Sequence, residues 1–320
     1  MTAEPLHESA MSARGRREIG DTGILVATVA LDGSIFGWAA GADETAAVLD
    51  GYYAADGNLV STADHYAGGR SEVMIGSWLR TVSDRSSVVI ATQVGRHPDA
   101  PGLSRRSILG AVEASLERLR TDYVDFLSLD GDQAGTPLEE SLETVDRLIR
   151  EGKVRFLAAS GYSPAQIGEV ENLAAKLGSP GIHALLVDYN LMDRENYETA
   201  MQPIATRLGR GALAQLPLAN GYLTGEVRSR DDAPKSMMYE GAQRHVGRRG
   251  TRILEAVATV AKELGSTSTQ VAIAWLLVKP GIAAAVLRTN DAQHMLHGLE
   301  SREIRLARHH VALLDRASAH

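Results

Sequence analysis

Several polar side chains lie at or just beyond the ends of short apolar segments. Asp32 and Asp130 each follow such a segment directly, Ser61 and Gln93 lie at the ends of two others, and Tyr66 follows a little further along the chain. Because the carboxyl ends of parallel strands in a barrel share one face, these five side chains are expected around one pocket. Two carboxylates in a partly dry pocket can acquire different pKa values and act as acid and base. The alternatives are a turn or substrate contact for Asp32, and a solvated or hydroxyl-binding loop start for Asp130.

These side chains need a framework, and the chain supplies short β-rich segments that alternate with amphipathic, helix-like ones. Several strand segments are apolar on both faces, as expected of parallel strands covered by helices. The predicted strands are 25–31, 58–62, 87–92, 124–129, 154–159, 184–189, 212–217 and 282–286. The predicted helices include 108–119, 138–150, 165–177 and 253–264. This alternation, without strands paired by tight hairpins, predicts a closed (β/α)8 TIM barrel.

Three segments depart from the regular alternation. Residues 1–17 are polar and contain arginines, which predicts a flexible leader. Residues 223–252 are charged, rich in Gly, Arg and Met, and without a clear period, which predicts a lid-like loop after the seventh barrel strand. Residues 301–319 are expected to form a C-terminal helix outside the barrel. No change in composition marks a boundary, so residues 1–320 are predicted to form one domain.

The composition limits the possible classes of protein. The 320 residues include 33 basic and 40 acidic ones, and the net charge of −7 disfavours a nucleic-acid or membrane partner. There is no cysteine, which excludes disulfides and thiol chemistry. No apolar run reaches the roughly 18 residues of a membrane helix. We therefore expect a cytoplasmic protein with a small-molecule substrate and no metal, and leave its oligomeric state open.

Histidines are not expected to contribute to the site. His65 neighbours Tyr66 in sequence but should point away from it in an extended segment. The adjacent His309 and His310 lie on a predicted helix and are expected to face solvent. No histidine is paired with a carboxylate at the i, i+4 spacing that would suggest a metal site.

A set of motifs occurs in the order and spacing of one known enzyme family. The motifs are GNLVSTADHYAGGRSE (57–72), AVEASLERLRTDY (111–123), GKVR (152–155), YNL (189–191), PLANGYLTG (217–225) and QVAIAW (270–275). Together they resemble the aldo-keto reductases over nearly the whole chain. The resemblance implies a (β/α)8 barrel and, for typical members, reduction of a carbonyl group with NADP(H).

The resemblance also identifies where the catalytic residues differ. In the family a Tyr donates a proton to the carbonyl, a Lys lowers its pKa, an Asp holds the Lys, and a His orients the substrate. Tyr66 retains the donor position, whereas Ser61 replaces the Asp, Gln93 the Lys and Asp130 the His. Gln93 is neutral and cannot lower the pKa of Tyr66, and Asp130 should raise it. The family's route of proton transfer is therefore disfavoured.

The positions that hold the cofactor in the family differ as well. Ser160 is followed by Gly161 where the family has a Ser-Asn pair, and Leu186 stands where it has a Gln. The family's phosphate segment reads LRTN (287–290) in this chain. If a nucleotide binds, Ser160, Arg288 and Arg248 are the expected contacts, with a solvated helix start as the alternative for Arg248. We expect no cofactor, and NADP(H) is the alternative.

Three functions remain open. The preferred one is a repurposed enzyme of secondary metabolism that dehydrates, cyclises or isomerises a small oxygenated metabolite. In it Tyr66 and Asp130 move protons, Asp32 assists, and Gln93 and Ser61 orient the substrate. The second is an NADP-dependent reductase with an altered set of catalytic residues. The third is a non-catalytic sensor or scaffold that keeps the barrel as a ligand-binding site.

Overall fold

A closed barrel of eight parallel strands forms the core of the molecule. The computed structural model describes residues 15–130, 135–232, 239 and 241–319. Its strands are β1 (Arg16–Glu18), β2 (Leu25–Ala27), β3 (Val29–Asp32), β4 (Leu59–Ser61), β5 (Val89–Val94), β6 (Val124–Asp130), β7 (Val154–Ser160), β8 (Ile182–Asp188), β9 (Gly211–Gln215) and β10 (Ile282–Leu287). Strands β3 to β10 pair in chain order, and β10 pairs with β3 to close the barrel. The predicted (β/α)8 fold is confirmed.

Helices cover the outside of the barrel. They are α1 (Ala42–Ala54), α2 (Arg70–Leu79), α3 (Arg105–Leu119), α4 (Leu138–Arg150), α5 (Pro164–Leu177), α6 (Gln202–Leu208), α7 (Arg248–Leu264), α8 (Ser268–Leu277), α9 (Ala292–Leu299) and α10 (Arg308–Ser318). Local sequence sets their ends. Helix α5, for example, begins after Ser163, whose hydroxyl accepts the Gln166 N–H, and ends at Gly178 in the left-handed region. Across the described residues, none of the helices combines the length and apolar character needed to cross a membrane.

The N-terminal part of the described chain differs from the prediction. The predicted strand 25–31 is divided at Thr28 into β2 and β3, and β2 pairs with β1 in an antiparallel hairpin. Residues 15–17, predicted to be flexible leader, therefore belong to this hairpin or adjoin it. Apolar side chains explain its position, because Ile19, Ile24 and Val26 are buried with the residues of the barrel interior. Residues 1–14 of the predicted leader lie outside the described residues.

Two predicted C-terminal boundaries were also wrong. Helix α7 begins at Arg248, so the last residues of the predicted loop 223–252 form its first turn. Its apolar period starts only at Ile253, which is why the polar first turn was read as loop. Residues 233–238 and 240 of that loop lie outside the described residues. The predicted helix 301–319 is a short 3-10 turn (Glu300–Glu303), an extended link and then α10.

The barrel interior is filled by small and aromatic apolar side chains. Alternate residues of each strand face inward, and the others pack against the helices. The interior cluster includes Ala30, Leu59, Ala91, Phe126, Ala158, Leu186, Leu213 and Val286. Continuing each strand by the same alternation gives the inward-facing positions at the carboxyl end of the barrel, where polar residues replace apolar ones.

Candidate functional site

Eight polar side chains, one for each barrel strand, form a ring at the carboxyl end of the barrel. They are Asp32, Ser61, Gln93, Asp130, Ser160, Asp188, Gln215 and Arg288. Six of them were among the predicted site residues, but Asp188 and Gln215 were not. Both continue the inward-facing alternation of their strands, from Leu186 and Leu213, so the two-residue period could have identified them. The ring places three carboxylates and one guanidinium at the same end of the molecule.

A cavity of about 410 Å³, called the main cavity below, opens inside part of this ring. Its polar lining includes His65, Tyr66, Gln93, Arg96, Asp130, Ser160, Tyr162, Asp188, Asn196 and Gln215. Leu186 and Met201 are among its apolar lining residues. Asp32 and Ser61, expected in the same pocket, do not line it: Ser61 is buried, and Asp32 faces a neighbouring cavity. The predicted pocket therefore contains Tyr66, Gln93 and Asp130 of the five expected side chains.

The charge of Asp130 is balanced by an arginine that the sequence analysis did not identify. Arg96 follows β5, and its Nε and Nη2 lie 2.5 Å and 2.9 Å from the two carboxylate oxygens of Asp130. Asp130 is buried, whereas the Arg96 side chain is 55% exposed. A bidentate guanidinium–carboxylate contact of this kind fixes both groups in one orientation. Asp130 is thus held in place as a hydrogen-bond acceptor at the wall of the cavity.

Tyr66 lies between these charges. Burial raises the pKa of its phenol above the ordinary value, and the Asp32 carboxylate adds to this effect. The guanidiniums of Arg288 and Arg96 oppose the rise in pKa, while Asp130 increases it further. Burial likewise raises the pKa of Tyr162 to about 12. Both phenols therefore stay protonated near neutral pH and act as hydrogen-bond donors to whatever enters the cavity.

A second, smaller cavity of about 120 Å³ adjoins the site. Asp32 lines it together with Asn220, Glu226 and Arg288. Burial raises the pKa of Asp32, although the Ser34 backbone N–H and the Arg288 charge oppose this. Arg288 Nη2 donates to Asn220 Oδ1 at 2.9 Å. Asp32 is therefore one of the carboxyls whose pKa is raised by burial, as a predicted acid–base group would require.

His65 lies in the main cavity, contrary to the prediction that it points away. Its backbone is in the right-handed helical region (φ −88°, ψ −10°) and not extended, so the strand alternation ends before it. His65 Nδ1 lies 3.2 Å from Oδ1 of Asp64, whose side chain is fully buried. Oδ2 of Asp64 has no hydrogen-bond partner among the described residues. This places an aspartate-oriented imidazole beside Tyr66, with ring centroids 4.9 Å apart.

The predicted phosphate contact Arg248 does not join the site. Arg248 is exposed in the first turn of α7 and does not line either cavity. Its neighbours have structural partners: Arg249 donates to the carbonyls of Met192 and Ser318, and Arg252 to those of Ala317 and Ala319. These arginines attach the end of α10 to α7.

The histidine pair near the C-terminus is only half exposed. The His309 side chain faces solvent, as predicted, but His310 is buried and hydrogen-bonded to Glu263. Within the described residues, these three are also the one group close enough together to hold a metal ion. However, His310 Nδ1 accepts the Ala307 N–H, which places the proton of a neutral ring on Nε2, facing Glu263. The arrangement is that of a helix cap.

Comparison with known proteins agrees with this architecture. Residues 30–319 match the model of the "Aldo/keto reductase family". A protein of Arabidopsis thaliana described as a "Probable voltage-gated potassium channel subunit beta" is 30% identical over 280 residues, which cover 84% of this chain and 85% of the relative. The chain belongs to the aldo/keto reductase family, as its motifs indicated.

Proposed function

We propose that this protein is an enzyme that catalyses non-redox proton transfer on a small, polar, oxygenated metabolite. The observation that carries the proposal is the composition of the main cavity. It brings together an oriented histidine, His65, and a protonated phenol, Tyr66, while the family's lysine position is occupied by the neutral Gln93. These are the groups that dehydration, cyclisation or isomerisation requires: a base, a hydrogen-bond donor and polar orienting side chains.

His65 is the proposed base. The contact with Asp64 fixes the ring and favours a proton on Nδ1, which leaves Nε2 able to accept a proton from a substrate. An orienting carboxylate would also stabilise the imidazolium that forms. Tyr66 would donate a hydrogen bond to the substrate oxygen on which negative charge develops. Asp130, held by Arg96, would accept a substrate hydroxyl, and Gln93 and Ser160 would complete the polar contacts.

The residues that would hold NADP(H) in typical members of the family fit that cofactor poorly. The second cavity lies beside Arg288, at the end of the last barrel strand. Two carboxylates, Asp32 and Glu226, line it and would repel a phosphate. At the nicotinamide position, Leu186 offers no amide group and is buried in the interior apolar cluster. No step of the proposed reaction therefore uses the cofactor.

One observation favours the reductase alternative. The second cavity lies beside the ring and contains a guanidinium, that of Arg288, at the end of the last barrel strand. A non-catalytic role is the other contrast: the Arabidopsis thaliana relative is described as a probable voltage-gated potassium channel subunit beta, a name that states a partner and not a reaction. A cofactor-independent reaction distinguishes the proposal from both.

The test is exchange of substrate hydrogen with solvent in the absence of nucleotide. Small hydroxyketones and hydroxyaldehydes are incubated with the protein in D2O, and carbon-bound deuterium and double-bond formation are followed by NMR. We expect exchange or elimination that falls about 100-fold or more in His65→Gln, the loss of a general base. The matched control is His309→Gln, which removes an exposed histidine and should keep the full rate.

Two results would count against the proposal. One is a His65→Gln variant that retains the wild-type exchange rate. The other is a reaction that occurs only when NADPH is added and consumes it, which would establish the reductase instead. A folded protein that shows neither exchange nor NADPH consumption on the whole panel would favour a non-catalytic role.

A further inference from the structure

A separate cavity lies at the opposite, amino-terminal end of the barrel. It has a volume of about 130 Å³, roughly that of four water molecules. Three arginines line it: Arg17 from β1, and Arg302 and Arg305 from the segment before α10. No carboxylate is among its lining residues in the described part of the chain. A cavity lined by three arginines and by no carboxylate of the described chain is unusual in a protein whose net charge is −7.

Two buried hydroxyl groups on the same cavity lack partners. Thr28 and Ser301 are 3% and 1% exposed, and both line the cavity. Neither Thr28 Oγ1 nor Ser301 Oγ has a hydrogen-bond partner among the described residues. A buried hydroxyl without a partner costs about 1–3 kcal/mol, so proteins rarely keep one unless something else binds there.

The arginines also have unused hydrogen-bonding capacity. Arg17 donates Nη1 to the carbonyl of Ile282, and Arg305 donates Nη1 to the carbonyl of Arg302. Arg302 reaches the exposed Glu303 only at 3.4 Å. Each guanidinium has five N–H donors, most of which remain available for a ligand. Burial lowers the pKa of Arg17, because its charge is removed from water with no acid beside it.

We propose that this cavity binds a small oxyanion of the phosphate type, held by Arg17, Arg302 and Arg305 and by the hydroxyls of Thr28 and Ser301. A phosphate group accepts many hydrogen bonds and carries the charge that the three guanidiniums lack. The bound anion joins the N-terminal hairpin to the segment before α10, on the opposite side of the barrel from the proposed reaction. Its binding is therefore independent of that reaction.

The experiment titrates inorganic phosphate into the full-length protein at constant ionic strength, using calorimetry and the melting temperature. We expect saturable binding of one phosphate and a rise in Tm, since a ligand specific for the folded state stabilises it. Ser301→Ala should weaken phosphate binding at least threefold without lowering the Tm of the free protein, because its hydroxyl has no partner to lose. Arg17→Gln should weaken binding at least tenfold. A second titration, with acetate, measures the preference for phosphate over a carboxylate.

The control variant is Arg308→Gln, which removes an exposed arginine that does not line the cavity and should bind phosphate as the wild type does. The proposal is overturned if phosphate gives no saturable binding at constant ionic strength. It is equally overturned if Ser301→Ala and Arg17→Gln both bind phosphate with wild-type affinity, because the anion would then lie elsewhere. If Arg17→Gln fails to fold through loss of its contact to the Ile282 carbonyl, wild-type phosphate affinity in Ser301→Ala overturns the proposal by itself.

Discussion

The protonation of individual side chains determines which chemistry the site can perform. Tyr66 is kept neutral by burial and by the carboxylate of Asp32, and the charge of Arg96 is directed to Asp130. In the family's mechanism a lysine instead lowers the pKa of the tyrosine. With Gln93 in that position, Tyr66 donates hydrogen bonds but does not ionise near neutral pH, so another group must accept protons. His65, oriented by Asp64, is the residue best placed to do so.

Asp32→Asn should stabilise the protein at neutral pH. Because burial raises the pKa of Asp32 in the folded state, its ionised form costs free energy of folding above that pKa. Asparagine removes the charge but keeps the oxygen that accepts the Ser34 N–H. We expect the Tm at pH 7 to rise by about 2 °C or more, the shift that roughly 1 kcal/mol produces in a large domain.

The difference in Tm between Asp32→Asn and the wild type should depend on pH in the direction that the raised pKa of Asp32 requires. As the pH falls through the raised pKa the advantage of the variant should shrink, and below the ordinary pKa of an aspartate, where the carboxyl is protonated in both states, it should disappear. The control is Asp291→Asn, at the cap of α9, where the His294 N–H lowers the pKa and the variant should not be stabilised. A lower Tm for Asp32→Asn than for wild type at pH 7 would contradict the assignment.

At the residue scale the sequence located part of the main cavity. Tyr66, Gln93 and Asp130 were predicted to share a pocket, and they do. Arg96 and His65 were missed because both lie just past the ends of strands, where the two-residue alternation no longer applies. The direction of a loop side chain depends on backbone angles that follow from long-range packing, which residue types and spacing do not specify.

At the scale of elements, polar links fix where the C-terminal helix lies. Arg249 and Arg252 on α7 donate to carbonyl groups at the C-terminal end of α10, where backbone acceptors have no partner within the helix. A cation at this position also interacts favourably with the helix dipole. The sequence suggested a phosphate contact or a solvated helix start for Arg248, and the structure gives its neighbours Arg249 and Arg252 a structural role.

Arg249→Ala should therefore lower the free energy of unfolding, by about 1.5–3 kcal/mol, the typical contribution of hydrogen bonds from a charged group. The measurement is chemical denaturation. Arg248→Ala is the matched control, since Arg248 is exposed on the same turn and should change stability by no more than about 0.5 kcal/mol. If Arg248→Ala were the more destabilising of the two, the structural role of Arg249 would be wrong.

Element boundaries were predicted where the apolar period is strong and missed where it is weak. Helix α4 was predicted with its observed limits, because its apolar stripe starts and ends with the helix. Helix α7 was predicted to start late because its first turn is polar, and β1 was missed because its three consecutive charged residues show no apolar–polar alternation. The hairpin of β1 forms through tertiary contacts of Ile19 and Val26 with the barrel.

At the scale of the whole molecule, the barrel separates two kinds of site. The carboxyl ends of the strands carry the polar ring and the proposed proton-transfer chemistry, at the end where (β/α)8 enzymes have their active sites. The amino-terminal end carries a cationic cavity closed by the N-terminal hairpin. The fold was predictable because eight βα units leave few other topologies, whereas the activity was not, because it depends on side chains attached to a common scaffold.

The central claim is that this member of the family no longer uses a nicotinamide cofactor, and NADPH titration tests it most directly. Tm and nucleotide fluorescence are measured as NADPH is added to the full-length protein. We expect no change in either, because two carboxylates line the cavity beside Arg288 and Leu186 offers no amide group at the nicotinamide position. A saturable enhancement of NADPH fluorescence, together with stabilisation of about 2.7 kcal/mol at 100 times the Kd, would contradict the account and favour a reductase.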